Sequence, residues 1–212
     1  MSPEGRYYIA RIMKNTLFIL LAILAFVLVR NWENRDITHP PGVLVPEMPR
    51  QNELAQSDPI IMGDYSIKPR AAFTVRARVL SREKYRWSDG SDLSPVDLAL
   101  GWGVMSDQEV LDRIRITQGS RWYYTRYDHP APLSDQQIIR HSGNMHMIPA
   151  NDWVEDKLSE IRTGDVIQAR GYLVDVDRSD GFRWRTSLTR NDTGNGSCEL
   201  FYLEHLFIEP RG

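Results

Sequence analysis

Leu17–Val29 reads LFILLAILAFVLV, thirteen apolar residues without a break. A helix made from it is apolar on every side, and such a helix is covered by protein or by lipid. Thirteen residues fall short of the roughly 20 that cross a bilayer core. The flanks make up the difference. Ile9, Ala10, Ile12 and Met13 are apolar, Arg11 and Lys14 are long enough to snorkel, and Tyr7, Tyr8 and Trp32 stand where interfacial aromatics belong. The sequence therefore predicts an uncleaved single-pass anchor over residues 15–32, preceded by a cytoplasmic N-terminus and helix start over 1–14. A cleaved signal peptide is the competing reading. It lacks a cleavage site, because Val29-Arg30-Asn31-Trp32 offers no pair of small residues.

Basic residues orient the span. Arg6, Arg11 and Lys14 precede it, and Arg30 and Arg35 follow it. This bias favours a cytoplasmic N-terminus and an external domain, which in a Gram-negative bacterium is an inner-membrane protein with a periplasmic domain. The whole chain carries a net charge of -2. Residues 1–32 hold four basic residues against one acid, which leaves 22 basic and 27 acidic residues elsewhere, a net of -5. A mildly acidic domain beyond a membrane excludes a general nucleic-acid binder, which needs clustered Lys and Arg. With one cysteine, Cys198, no intrachain disulfide forms, and that thiol reads as a small hydrophobe in a strand.

Residues 33–63 read as a linker, with Pro40, Pro41, Pro46, Pro49 and Pro59 favouring extended chain. Gly42–Val45 is its one segment suited to docking as an edge strand. The domain proper is expected at 64–212. Phe73, Val75, Ala77 and Val79 alternate with polar residues, the period of a half-buried strand. Ser94-Pro95 reads as the start of a short helix over Val96–Leu100. Ser106 with Glu109, and Ser134 with Gln137, read as capping boxes for helices at 107–113 and 135–140. A further helix is expected over Trp153–Ile161. Arg121–Tyr127, Asn144–Ile148, Val166–Val176, Phe182–Leu188 and Cys198–Ile208 read as strands, with a turn at 177–181 and a glycine-rich loop at 191–197.

The fold class is thus an N-terminal transmembrane helix plus a mainly β (α+β) domain, a small antiparallel barrel with short inserted helices. The run Gly164-Asp165-Val166 through Arg170-Gly171-Tyr172-Leu173-Val174 resembles a strand of OB-type barrels, in which a glycine bends the chain round a corner. The chain as a whole resembles uncharacterised single-pass membrane-anchored proteins of Gram-negative bacteria. Three segments carry this: Ser94-Pro95-Val96-Asp97-Leu98-Ala99-Leu100-Gly101-Trp102-Gly103, His141 through Ala150, and Ser187-Leu188-Thr189-Arg190. The resemblance implies a location and no activity.

Two constellations could carry chemistry. His141-x-x-Asn144-x-His146 places two imidazoles near an amide, with His129, His205 or a carboxylate as a third group. Two histidines fall short of the three protein ligands usual at a catalytic zinc, and Met145 and Met147 raise the case of copper. The plainer reading is core methionines and hydrogen-bonded histidines. The second constellation mixes rings and guanidinium groups: Arg121, Trp122, Tyr124 and Arg126 in one strand, Arg183, Trp184 and Arg185 in another. Such side chains dominate interface hot spots. Asp192-Thr193-Gly194 has the letters of an aspartic-protease triplet, and its neighbours Asn191, Asn195 and Gly196 read as turn chemistry.

Three functions compete on this reading. The first is a non-enzymatic membrane-tethered envelope protein that offers the aromatic and arginine surface to protein partners in assembly. The second is a metal- or His-dependent hydrolase built on His141, Asn144 and His146. The third is a glycan or small-ligand binding domain. No cofactor is expected.

Overall fold

The alternation seen at Phe73–Val79 extends both ways into one strand of 20 residues, β3 (Tyr65–Lys84). The computed structural model describes residues 3–33, 35–189 and 198–211, with side chains in the first helix described for 13–29. That helix, α1, spans Pro3–Glu33. Contacts divide the chain into two units, residues 1–36 and 37–212.

In the second unit β3 is edged by β1 (Arg50–Glu53) and β2 (Ile60–Met62). It then pairs with β4 (Val96–Gly101), and β4 with β7 (Ser142–Pro149), both antiparallel. Between β4 and β7 a separate hairpin, β5 (Ile114–Gly119) and β6 (Trp122–Tyr127), is inserted. β7 pairs with β10 (Glu199–Ile208), β10 with β8 (Val166–Arg178), and β8 returns to β3, so five strands close a ring. A two-residue strand, β9 (Arg183–Trp184), edges β8. Closure needs sharp bends. The β3 register shifts at Pro69/Ala71 against β8 and at Val79/Ser81 against β4, and bulges of this kind add curvature. Gly171 lies where a Cβ would stand 2.0 Å from the Tyr202 carbonyl oxygen, beside the register shift at Leu203/His205. The glycine there permits a close backbone approach.

Helix α3 (Asp135–His141) has the expected capping box of Ser134 and Gln137. Helix α4 (Asp152–Glu160) is capped by Asn151 and sends Val154 and Leu158 into the barrel core beside Phe73, Phe201, Met145 and Met147. Phe73 and Phe201 meet edge to face at 5.1 Å.

Several expectations differ from this architecture. β7 and β10 run parallel, so the barrel is mixed; the chain between them crosses over through α4 and β8. Val96–Leu100 is a strand, because Val96, Leu98 and Leu100 face the core while Asp97 and Ala99 face outward. The helix after Ser106 is only α2 (Gln108–Leu111), capped by Asp107, whose side chain accepts from the Glu109 backbone N–H. Finally, residues 37–63 belong to the folded unit rather than to a linker. Val45 is fully buried, its N–H donates to Ser106 Oγ, and its carbonyl accepts from Gly103 N–H. The docked strand is β1, not Gly42–Val45. Phe182–Leu188 pairs only at Arg183–Trp184. The loop at 191–197, with Asp192-Thr193-Gly194, lies outside the described residues.

Candidate functional site

The polar residues with most chemical potential lie on the outer face of β4 and β7. The register opposes Asp97 to His146 and Ala99 to Asn144, while Leu98 and Met145 face inward. Asp97 is fully buried and His146 is 2% exposed, so both are sealed by what lies on top. The cover comes from the β5–β6 hairpin and from β9.

The two-residue turn of that hairpin is Ser120-Arg121, both at positive φ (52° and 69°). This turn suits the twist of a hairpin, but Asn and Gly are its usual occupants. It folds Arg121 under the hairpin. One guanidinium nitrogen, Nη1, donates to Asp97 Oδ1 at 2.8 Å and to the Ser94 carbonyl at 3.0 Å. The guanidinium carbon stands 3.9 Å above the Tyr85 ring and 5.3 Å from the Trp184 ring. The Arg121 backbone N–H donates to Tyr85 Oη at 2.9 Å. Trp184 also packs on His146, ring centres 4.6 Å apart and planes tilted by 43°.

His146 Nδ1 is 2.9 Å from Asp97 Oδ1 but is not aligned as a hydrogen bond. Asp97 Oδ2, Ser94 Oγ, Arg121 Nε and His146 Nδ1 are all buried without a hydrogen-bond partner among the described residues. Groups in that state are the places where ordered water usually sits.

Asn144 lies on the same face as His146. Its amide donates to the Arg121 carbonyl at 3.0 Å and accepts from Gln118 Nε2 at 2.7 Å. Cys198 Sγ also reaches the Arg121 carbonyl, at 3.7 Å. Nearby Tyr123 Oη meets Ser142 Oγ at 2.9 Å, while Ser142 Oγ donates to the Ile138 carbonyl. Burial pushes the Tyr123 and Tyr85 phenols above their usual range.

The expected His141–Asn144–His146 cluster is therefore split. Asn144 and His146 share a face and a cover. His141 ends α3, and its Nδ1 contacts the Gln137 carbonyl at 2.8 Å, while the ring packs against Gly103. Five residues of extended backbone, on the order of 16 Å, separate it from His146. His129 and His205 are both exposed, on the hairpin's far end and on β10. Among the described residues no group of three or more His, Cys, Asp or Glu is arranged to hold a metal ion.

The expected aromatic and arginine surface is also divided. Arg121 and Trp184 turn inward to the buried cluster. Trp122, Tyr124 and Arg126 share the outer face of β6, with Tyr124 52% exposed and Arg126 exposed. Arg183 and Arg185 lie on a different edge, both directed at Asp177. Sequence reasoning missed Asp97 because Val96–Leu100 read as a helix, took Ser94 as that helix's start, and did not single out Tyr85. It also missed Arg115, the cross-strand partner of Arg126. The signal for Asp97 was one carboxylate inside an alternating apolar run.

Compared with known proteins, the chain matches no family model, no curated protein and no solved structure.

Proposed function

We propose that this chain is a non-enzymatic, membrane-tethered interaction module of the bacterial envelope, with a barrel of OB type that binds through the outer face of its inserted hairpin. In chain order the ring runs first, second, third, fifth, fourth strand and back to the first, with α4 between the third and fourth. Barrels of OB type bind ligands on the face of their second and third strands. One observation carries the reading: here that face, on β4 and β7, is occupied by the chain's own Arg121 stacked on Tyr85 and Trp184. Binding side chains are displaced outward, to Trp122, Tyr124, Arg115 and Arg126.

The tether is supported by α1. From Leu17 to Val29 the large apolar side chains are 44 to 74% exposed. Exposure of this kind calls for an apolar cover, which a bilayer supplies. Among the described residues no helix is long and apolar enough to cross a membrane, and in α1 the described side chains cover 13–29. The basic bias before the span supports an inner-membrane location with a periplasmic barrel.

The test uses the full chain in its own membranes with a photocrosslinking residue at Tyr124. The expected result is retention in the membrane through alkaline carbonate washing and one stoichiometric adduct. Release into the supernatant, or no adduct above that of a residue at Arg183, would overturn the proposal.

A further inference from the structure

Arg115 and Arg126 are direct cross-strand partners in the β5–β6 hairpin. By strand alternation both project from its outer face, with Thr117, Tyr124 and Trp122. The inner face, with Ile114, Ile116, Tyr123 and Tyr127, packs on the barrel. Like charges directly opposite each other weaken an antiparallel pair unless an anion lies between them. Neither guanidinium has a hydrogen bond or ion pair among the described residues, in contrast to Arg70, Arg76, Arg121, Arg178, Arg185 and Arg211, which all meet carboxylates.

The two arginines border a groove of about 910 Å³ at the open end of the hairpin. Arg113 and His129 line it too, and so do Asp112 and Asp128. Arg113 already donates to the Pro130 carbonyl at 2.8 Å, and Asp112 accepts from Gln108 at 2.7 Å. Arg115 and Arg126 are left as the pair with donors to spare, inside a domain that is otherwise acidic.

We infer that this groove is an oxyanion site in which Arg115 and Arg126 hold one phosphate monoester between them, with Tyr124 beside the body of the molecule that carries it. The inference rests on the proposed use of the hairpin's outer face. It adds the ligand's chemistry. A guanidinium presents a fork that pairs with two oxygens at once. A carboxylate has two oxygens and satisfies one fork. A phosphate monoester has three terminal oxygens and offers an edge to each of two forks. Cross-strand partners have Cβ atoms about 4.5–5.5 Å apart, a spacing from which two long side chains converge on one small anion. A phospholipid headgroup and a soluble phosphate share this chemistry, so the experiment carries both.

Calorimetric titration of the full chain in a neutral detergent compares inorganic phosphate, a short-chain phosphatidic acid (a monoester) and a short-chain phosphatidylglycerol (a diester). Saturable binding of phosphate or phosphatidic acid is expected, with the diester at least tenfold weaker. The double reversal Arg115→Glu/Arg126→Glu should weaken monoester binding at least tenfold, and Arg183→Glu should leave it unchanged. Both variants alter exposed side chains, and an unchanged thermal midpoint checks their folding. Binding by phosphatidic acid as well as phosphate assigns the site to a headgroup, and phosphate without it to a soluble ligand. Absence of saturable binding, equal binding of the diester, or binding indifferent to the double reversal overturns the site. The Tyr124 crosslink reads the wider proposal separately: an adduct that persists in the double reversal leaves the interaction surface standing and removes only the oxyanion.

Discussion

At the scale of single residues, Arg121 joins most of the hydrogen bonds that hold the hairpin on the barrel. Its fork serves Asp97 and the Ser94 carbonyl while its plane lies on Tyr85. Removing one partner of a buried ion pair leaves the other charge without compensation, which costs roughly 3–5 kcal/mol. Arg121→Ala should therefore destabilise the protein by about 3 kcal/mol, near the low end because the arginine side chain keeps 16% exposure. Arg121→Lys should recover little, since an ammonium has neither the planar fork nor the stacking face. Denaturant midpoints measure both, and a fall of less than about 1 kcal/mol in Arg121→Ala would count against the buried pair. Two phenols make a second prediction. Tyr123 and Tyr85 are raised by burial above an ordinary value of about 10. A folded pKa above the unfolded one contributes stability that is complete below the unfolded value and lost as pH rises through the folded one. Stability should be flat in this respect below pH 10 and fall above it. Tyr123→Phe should flatten that fall, and an alkaline limb identical to the parent protein's would exclude Tyr123 as its source.

At the scale of elements, what was legible depended on whether a local signal and the tertiary packing agreed. α3 and α4 begin where Ser134 and Asn151 cap them, since a cap satisfies backbone donors within its own turn. β4 was hidden because Ser94-Pro95 carries the same letters as a helix start, while the competing evidence was the alternation of Val96, Leu98 and Leu100 with Asp97 and Ala99. Only partner strands decide between them, β3 on one side and β7, more than forty residues further on, on the other. His146 and Asn144 were legible as chemistry. The Asp97 opposite was not, because register is a tertiary fact. The hairpin turn shows a local choice that packing overrides. Ser120 and Arg121 occupy left-handed backbone that favours Asn and Gly, and Arg121 is held there by Asp97. Ser120→Asn keeps every contact of Arg121 and suits φ of 52° better, so it should stabilise the protein by about 0.5 kcal/mol. A lower denaturant midpoint in that variant would show that the turn is not strained at Ser120.

At the scale of the whole molecule, the sequence and the structure part over where the domain begins. Five prolines between Pro40 and Pro59 read as a spacer because proline removes donors and favours extended chain. The same property suits a segment that runs extended across a barrel's surface and bonds only at intervals. Ile37 N–H donates to the Thr163 carbonyl, Gly42 N–H to Asp107, and Val45 both donates and accepts before β1 forms. Composition registers the prolines and is blind to the docking, which rests on buried Val45 and Pro49, on Leu44 packed against the core, and on scattered hydrogen bonds. The two readings differ in a measurable way. A fragment that begins at Ile37 keeps Val45, β1 and β2, whereas one that begins at Asp64 lacks all three. Uncovering the pocket under Val45 costs about 1.5–3 kcal/mol, and the lost pairing of β1 with β3 adds to it. The shorter fragment should be less stable by about 3 kcal/mol or more, and should melt roughly 6–12 °C below the longer one. Native stability is commonly only about 5–15 kcal/mol, so that fragment should also expose more of its barrel to proteolysis. Equal midpoints for the two fragments would return residues 37–63 to the role of a spacer, and would leave the barrel's edge at β3 bare.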